Sequence, residues 1–152
     1  MKYTKYILIV LFSILLMSCS ADSSKPIDYV VQNEKDIAKF VADNNLNAKR
    51  TESGLYYVIN KQGTGAQPTY TSNVTVAYKG YLLNGAVFDQ TNETSFDLHS
   101  SIVGMTEGIS YFKEGGSGIL LIPSSLGYGN NDYNGIPGGS VLIFVVELIK
   151  VN

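Results

Sequence analysis

The stretch Val74-Thr-Val-Ala-Tyr-Lys-Gly-Tyr-Leu-Leu-Asn-Gly-Ala-Val-Phe-Asp89 alternates through Val74, Val76 and Tyr78, breaks at Asn84-Gly85, and resumes with Val87-Phe88. Alternation with period two predicts a half-buried strand, and an Asn-Gly pair between two such runs predicts a hairpin, because those residues tolerate positive φ at a bend. Such a hairpin brings Phe88 and Asp89 beside Tyr78. Working outward, Gly54-Leu-Tyr-Tyr-Val-Ile59 reads as the first strand of the same region, with Gly63, Gly65 and Pro68 marking the turn after it. Ile119-Leu-Leu-Ile122 and Val141 to Ile149 are continuous apolar runs, the pattern of central strands covered on both faces. Between them, Glu107 to Lys113 places Ile109 and Phe112 on one side of a short helix that Gly115-Gly116 ends. The expected fold is α+β: an antiparallel sheet wrapped on one short helix.

The 152 residues, 45% of them hydrophobic and 16% charged, suit one globular domain with a tail. Formal net charge is −2, and setting aside Lys2 and Lys5 leaves 9 basic against 13 acidic residues. With no basic cluster longer than Lys49-Arg50, neither a nucleic-acid groove nor a polybasic membrane patch can be built from neighbouring residues.

Lys2 and Lys5 precede an apolar run from Tyr6 to Met17, which has the length of a secretory signal core and falls short of the roughly 20 residues that span a bilayer. Leu16-Met-Ser-Cys19 then resembles a bacterial lipobox, which predicts cleavage before Cys19 and lipidation of its thiol; an ordinary signal peptide or a free thiol is the plainer reading. Ser20-Ala-Asp-Ser-Ser-Lys-Pro26 reads as a flexible tether. Asn33 followed by Asp36 predicts an N-cap, and Ile37, Phe40, Val41 and Leu46 recur at helical spacing, so a helix is expected from about Glu34 to Asn44. It either packs on the domain, spaces it from the lipid, or pairs with a second copy. The expected organisation is a lipoprotein signal peptide over 1–18, a lipid-anchored tether over 19–32, a helical extension over 33–53 and the β-rich domain over 54–152.

Most catalytic chemistries find no equipment here. Cys19 is the sole cysteine and His99 the sole histidine, which leaves no thiolate cluster and makes a zinc site dependent on carboxylates. His99 reads as a surface or capping residue. Asp89, Asp97, Glu107 and Asp132 show no glycosidase arrangement, and Gly63-Thr-Gly65 lacks the third glycine and following helix of a dinucleotide loop.

Taken together with Ile122-Pro-Ser-Ser-Leu-Gly-Tyr-Gly129, Gly135-Ile-Pro137 and the closing strand from Val141, the hairpin resembles FKBP-type peptidyl-prolyl cis-trans isomerases over about Gly54 to Val151. The resemblance implies an FKBP-like fold, no cofactor, and isomerase activity on proline-containing unfolded or folding polypeptides. The lipobox adds an envelope location, facing the periplasm or the cell exterior. The resemblance further implies that Tyr78, Phe88, Phe96 and Phe144 line a prolyl pocket, with Asp89 at its rim. The Ile102 amide and Tyr128 hydroxyl would donate to substrate carbonyls, and Ile136 would overhang the cavity. Each aromatic is equally suited to a plain core position, and Tyr133 is either a rim contact or a loop aromatic. Two departures stand out. Where the family commonly has tryptophan, Ile102-Val-Gly-Met-Thr-Glu-Gly108 puts Met105 as the pocket floor, and the usual Ile-Pro-Pro is Ile136-Pro-Gly138. Both bear on catalytic efficiency and on any macrolide ligand. The alternative is a non-catalytic peptide-binding or chaperone lipoprotein of the same fold; a structural envelope lipoprotein is a third.

Overall fold

The computed structural model describes residues 27–152, so the expected signal peptide, the Cys19 anchor and the tether up to Pro26 lie outside the described residues. In chain order the elements are α1 (Tyr29–Asp43), β1 (Lys49–Arg50), β2 (Tyr56–Lys61), β3 (Asn73–Leu82), β4 (Val87–Asp97), α2 (Val103–Ile109), β5 (Gly116–Ile122) and β6 (Leu142–Val151). Single 3-10 turns sit at Leu98–Ser100 and Ser124–Leu126. The strands form one sheet in the order β1-β2-β5-β6-β3-β4, every neighbouring pair antiparallel.

The β3–β4 hairpin turns through three residues, Leu83 to Gly85, rather than the bare Asn-Gly pair. The Gly85 N–H donates to the Leu82 carbonyl at 2.9 Å, the Leu82 N–H donates to the Ala86 carbonyl at 2.9 Å, and Gly85 takes φ +85°. Asn84 stays at negative φ and instead accepts from the Ala86 N–H through Oδ1 at 3.0 Å. This is a tight turn followed by a left-handed glycine, the common form of a three-residue hairpin loop.

The sheet curls over α2. Leu55, Val76, Leu120, Ile122, Leu142, Phe144, Val146 and Leu148 pack with Ile109 and Phe112 in the inner core. The helix lies close because Gly104 and Gly108, one turn apart, face Ile122 and Leu120; a Cβ at either would run into those side chains. The helix therefore occupies Val103–Ile109, not Glu107–Lys113 as the spacing predicts. Turn hydrogen bonds from the Tyr111 and Phe112 N–H groups to the Gly108 and Ile109 carbonyls carry Phe112 into the core beyond the helix end. Glycine is a poor helix former, so these two pull a propensity-based reading downstream, whereas close approach to β5 favours them.

The outer face of the sheet carries α1. Ile37 packs with Leu121, Val141 and Ile143, flanked by Phe40, Val41, Leu46 and Tyr56, so this end of β5 and β6 is covered on both sides. The helix starts earlier than expected, and the boundary drawn between residues 32 and 33 falls inside it. Asp28 is the cap, its Oδ1 accepting from the Val30 and Val31 N–H groups at 3.1 and 3.4 Å. Asn33, the expected cap, is buried. On the exposed side Glu34 accepts from Tyr56 Oη at 2.6 Å and from Arg50 Nε at 3.0 Å, tying α1 to β1 and β2.

Two glycines separate local from tertiary cost. At Gly118 a Cβ would collide with the Val58 carbonyl and the Phe112 ring, whereas at Gly85 it meets nothing. Gly118→Ala is expected to cost about 3 kcal/mol or more by wedging β2 from β5, and Gly85→Ala about 1 kcal/mol from its left-handed backbone alone. Urea unfolding of the two variants measures both.

Candidate functional site

A cavity of about 340 Å³ opens at the end of the sheet where β3, β4 and β6 meet the segment entering α2. Its walls are Tyr78 from β3, Asp89 and Phe96 from β4, and Phe144 from β6; Met105 of α2 lies beneath, and Ser100, Ser101 and Ile102 form one side. The loop between β5 and β6 closes the other side with Tyr128 and Tyr133. Tyr78 and Phe144 arrive by strand parity, on the inner face that carries Val76, Val146 and Leu148, whereas Asp89 and Phe96, seven residues apart on β4, reach that face together because the β3–β4 register shifts between Val76 and Tyr78.

Phe144 is the hub of the aromatic wall. Its ring meets Tyr78 edge-on at 5.7 Å and 70° between planes, and Phe88 at 5.4 Å and 87°, the arrangement that ring quadrupoles favour. Gly80 sits directly beneath; a Cβ there would press on both Phe88 and Phe144. Phe88 thus backs the wall rather than lining the cavity. Met105 is 3% exposed and fills the floor with a flexible thioether.

Ile136 does not overhang the cavity; it is 5% exposed and belongs to the inner core. The reason is a tight turn: Tyr133 and Ile136 exchange backbone hydrogen bonds at 2.9 and 2.8 Å, with Asn134 and Gly135 at φ +46° and +84°. That bend sends Ile136 inward and leaves Tyr133, 48% exposed, stacked on Tyr128 at 4.5 Å and 12°. Of the two readings open for Tyr133, the rim position is the observed one.

The polar groups divide into committed and uncommitted. Tyr78 Oη donates to Asp89 Oδ2 at 2.6 Å, and burial, then that hydrogen bond, push the Tyr78 hydroxyl up to about 12. Burial also raises Tyr128 above the ordinary tyrosine value, with Tyr133 and Asp89 adding to it. Tyr128 Oη and the Ile102 N–H donate to no acceptor among the described residues. The cavity thus offers two unused neutral donors on opposite sides. Ser100 and Ser101 were not foreseen from the sequence; small polar residues before a helix carry no spacing signal, and only their adjacency to Ile102 hints at a role. His99 is exposed beside Tyr70 and outside this cavity. Among the described residues no three His, Cys, Asp or Glu side chains gather as metal ligands.

Comparison with known proteins gives one consistent result. The family model for FKBP-type peptidyl-prolyl cis-trans isomerases matches residues 65–149. The FKBP-type isomerase FkpA of Buchnera aphidicola from Schizaphis graminum is 43% identical over 107 residues, covering 67% of this chain and 42% of that protein. FkpA of Aeromonas hydrophila is 38% identical over 127 residues, covering 80% of this chain and 47% of its own. The chain therefore spans less than half the length of these curated relatives. Among solved structures, FkpA from Escherichia coli superposes with a TM-score of 0.75 at 36% identity, covering 82% of this chain and 60% of that one. A peptidyl-prolyl isomerase from Pseudomonas syringae superposes at 0.71 with 29% identity, covering 86% of this chain and 98% of that one.

The Tyr78–Asp89 contact makes a pH prediction. Because the folded hydroxyl ionises near 12 and an unfolded tyrosine near 10, the fold favours the protonated form; its contribution is complete below about 10 and is lost as pH rises towards 12. The stability difference between wild type and Tyr78→Phe is therefore expected to be flat below that range and to shrink through it. Urea unfolding at a series of alkaline pH values reads the difference, and a flat profile throughout would contradict the assignment.

Proposed function

The chain belongs to the FKBP-type peptidyl-prolyl cis-trans isomerase family, and from that premise we propose that it accelerates rotation about peptide bonds that precede proline in polypeptides folding outside the cytoplasm. The observation that carries this reading is an aromatic-walled cavity with uncommitted neutral donors on two sides. Rotation must break partial double-bond character behind a barrier of roughly 18–20 kcal/mol, and no covalent step is needed. The planar amide is more charge-separated than the twisted one, so an apolar enclosure favours the twisted form. Each 1.4 kcal/mol or so of that preference gives about tenfold in rate.

In this reading the prolyl ring packs against Tyr78, Phe96 and Phe144 over Met105. The Ile102 N–H and the Tyr128 hydroxyl donate to substrate carbonyls on either side, holding the chain while the bond turns. Asp89 keeps the Tyr78 hydroxyl occupied and its ring oriented, and Phe88 supports Phe144 from behind. A methionine floor adapts to the ring instead of presenting a fixed plane, so a macrolide is expected to bind more weakly than it does over tryptophan. Leu16 to Cys19 supports lipidation of Cys19, which would hold the domain at the cell envelope, facing the periplasm or the exterior.

Protease-coupled isomerisation of proline tetrapeptides tests the activity. Tyr128→Phe is expected to lower kcat/KM about fivefold, the worth of roughly one hydrogen bond, and Phe96→Ala about tenfold or more by opening the wall. A folded protein that binds peptides without turnover would replace this reading with the chaperone module.

The anchor is tested separately by growth with labelled palmitate. Label is expected on the wild type and absent from Cys19→Ala; label retained by the variant would overturn lipidation at that residue.

A further inference from the structure

The loop that carries Tyr128 is held from behind by α1, through one buried amide. Asn33 is 2% exposed, and its side chain reaches both ends of the segment between β5 and β6. Its Oδ1 accepts from the Ser124 N–H at 2.7 Å, where the segment leaves β5, and its Nδ2 donates to the Gly139 carbonyl at 2.8 Å, where the segment returns to β6. A side chain with one acceptor and one donor arm in fixed geometry is the group that can bridge an N–H and a carbonyl at once.

The clamp continues to the site in one further step. The Gly139 N–H donates to the Gly129 carbonyl at 2.9 Å, and the Gly129 N–H donates to the Ser124 carbonyl at 2.8 Å, so the two ends that Asn33 holds are also joined beside Tyr128. The approach is tight enough to require glycine. A Cβ on Gly138 would strike the Asn130 carbonyl, and one on Gly139, at φ +76°, would strike the Tyr29 ring of α1. Packing of α1 through Ile37 supplies the apolar part of the same contact. Asn33 is outside the cavity and touches none of its lining residues in the hydrogen-bond network.

We propose that Asn33 is a positioning residue for this site: its amide locks the segment from Ser124 to Gly139 so that Tyr128 is presented to the cavity, making α1 a working part of the site and not only a cover for the sheet. This rests on the isomerase reading for its kinetic consequence, but not for its structural one. Removing the amide leaves a buried N–H and a buried carbonyl without partners, which is costly wherever water cannot reach them. The segment can recover those bonds only by loosening.

The test compares wild type, Asn33→Ala and Asn33→Asp in the full chain, by amide hydrogen exchange and by tetrapeptide kinetics. Asn33→Ala is expected to speed exchange at Gly129 and Gly139 about tenfold or more while the amides of central β6 stay unchanged. KM is expected to rise more than kcat falls. Asn33→Asp retains the acceptor for Ser124 and loses the donor for Gly139, so exchange is expected to rise at the Gly139 end and to stay slow at Ser124. Should Asn33→Ala fail to fold, the Asp variant decides by that asymmetry. Exchange that rises uniformly across segment and sheet, or a loosened segment with unaltered KM and kcat, would overturn the positioning role. A wild type that turns over no peptide would refute the isomerase reading, and the exchange comparison would still decide the clamp.

Discussion

The near ends of β5 and β6 are apolar on both faces, and the rest of the molecule is arranged to keep water off them. Leu120, Ile122, Leu142 and Phe144 need a partner inside, and Leu121, Val141 and Ile143 need one outside. The inner requirement brings α2 close enough that only glycine fits at positions 104 and 108. The outer requirement brings α1, with Ile37 fully buried against the sheet. Burying a side chain of that size stabilises by roughly 1.5–3 kcal/mol, so neither helix is ornamental. The cavity forms where the inner layer stops short, between the last ring of β6 and the first turn of α2.

The site's character follows from that origin. Because its walls are continuous with the core, Tyr78 and Tyr128 sit where burial disfavours their charged forms, and both remain neutral donors. One is consumed by Asp89 at 2.6 Å and the other is left available. Such a site suits a reaction whose transition state is less polar than its ground state. Aromatic edge-to-face contacts around Phe144 hold the shape, while Met105 introduces the one yielding surface.

Much of this is legible in the sequence. The alternation through Val74, Val76 and Tyr78 and the glycine at the bend placed the hairpin, and the unbroken apolar runs placed the two central strands, because period and run length are properties of neighbouring residues. Tyr78, Asp89, Phe96, Ile102, Met105, Tyr128 and Phe144 do meet around one cavity. Helix starts are less legible in the sequence. Asn33 and Asp28 are both good caps by type, and the outcome turned on a contact 91 residues away in sequence, with Ser124, which no local pattern carries. The α2 start was obscured by glycines that are unfavourable for a helix and favourable for its approach to β5. Phe88 and Ile136 support the site instead of lining it because a bulge in the β3–β4 pairing and a two-residue turn decide which way each side chain faces, and neither leaves a mark in the apolar pattern.

The sequence by itself determined the strand pattern, the hairpin, the family and most of the cavity's residues, since each is encoded in short-range periodicity or in motifs a few residues long. The tertiary structure alone decided that α1 docks on the sheet, that Tyr133 and not Ile136 borders the cavity, and that Asn33 bridges both ends of the segment bearing Tyr128. Those outcomes depend on which buried polar groups find partners once the chain is compact, and a partner brought within 3 Å by folding leaves no trace in the spacing of residues along the chain.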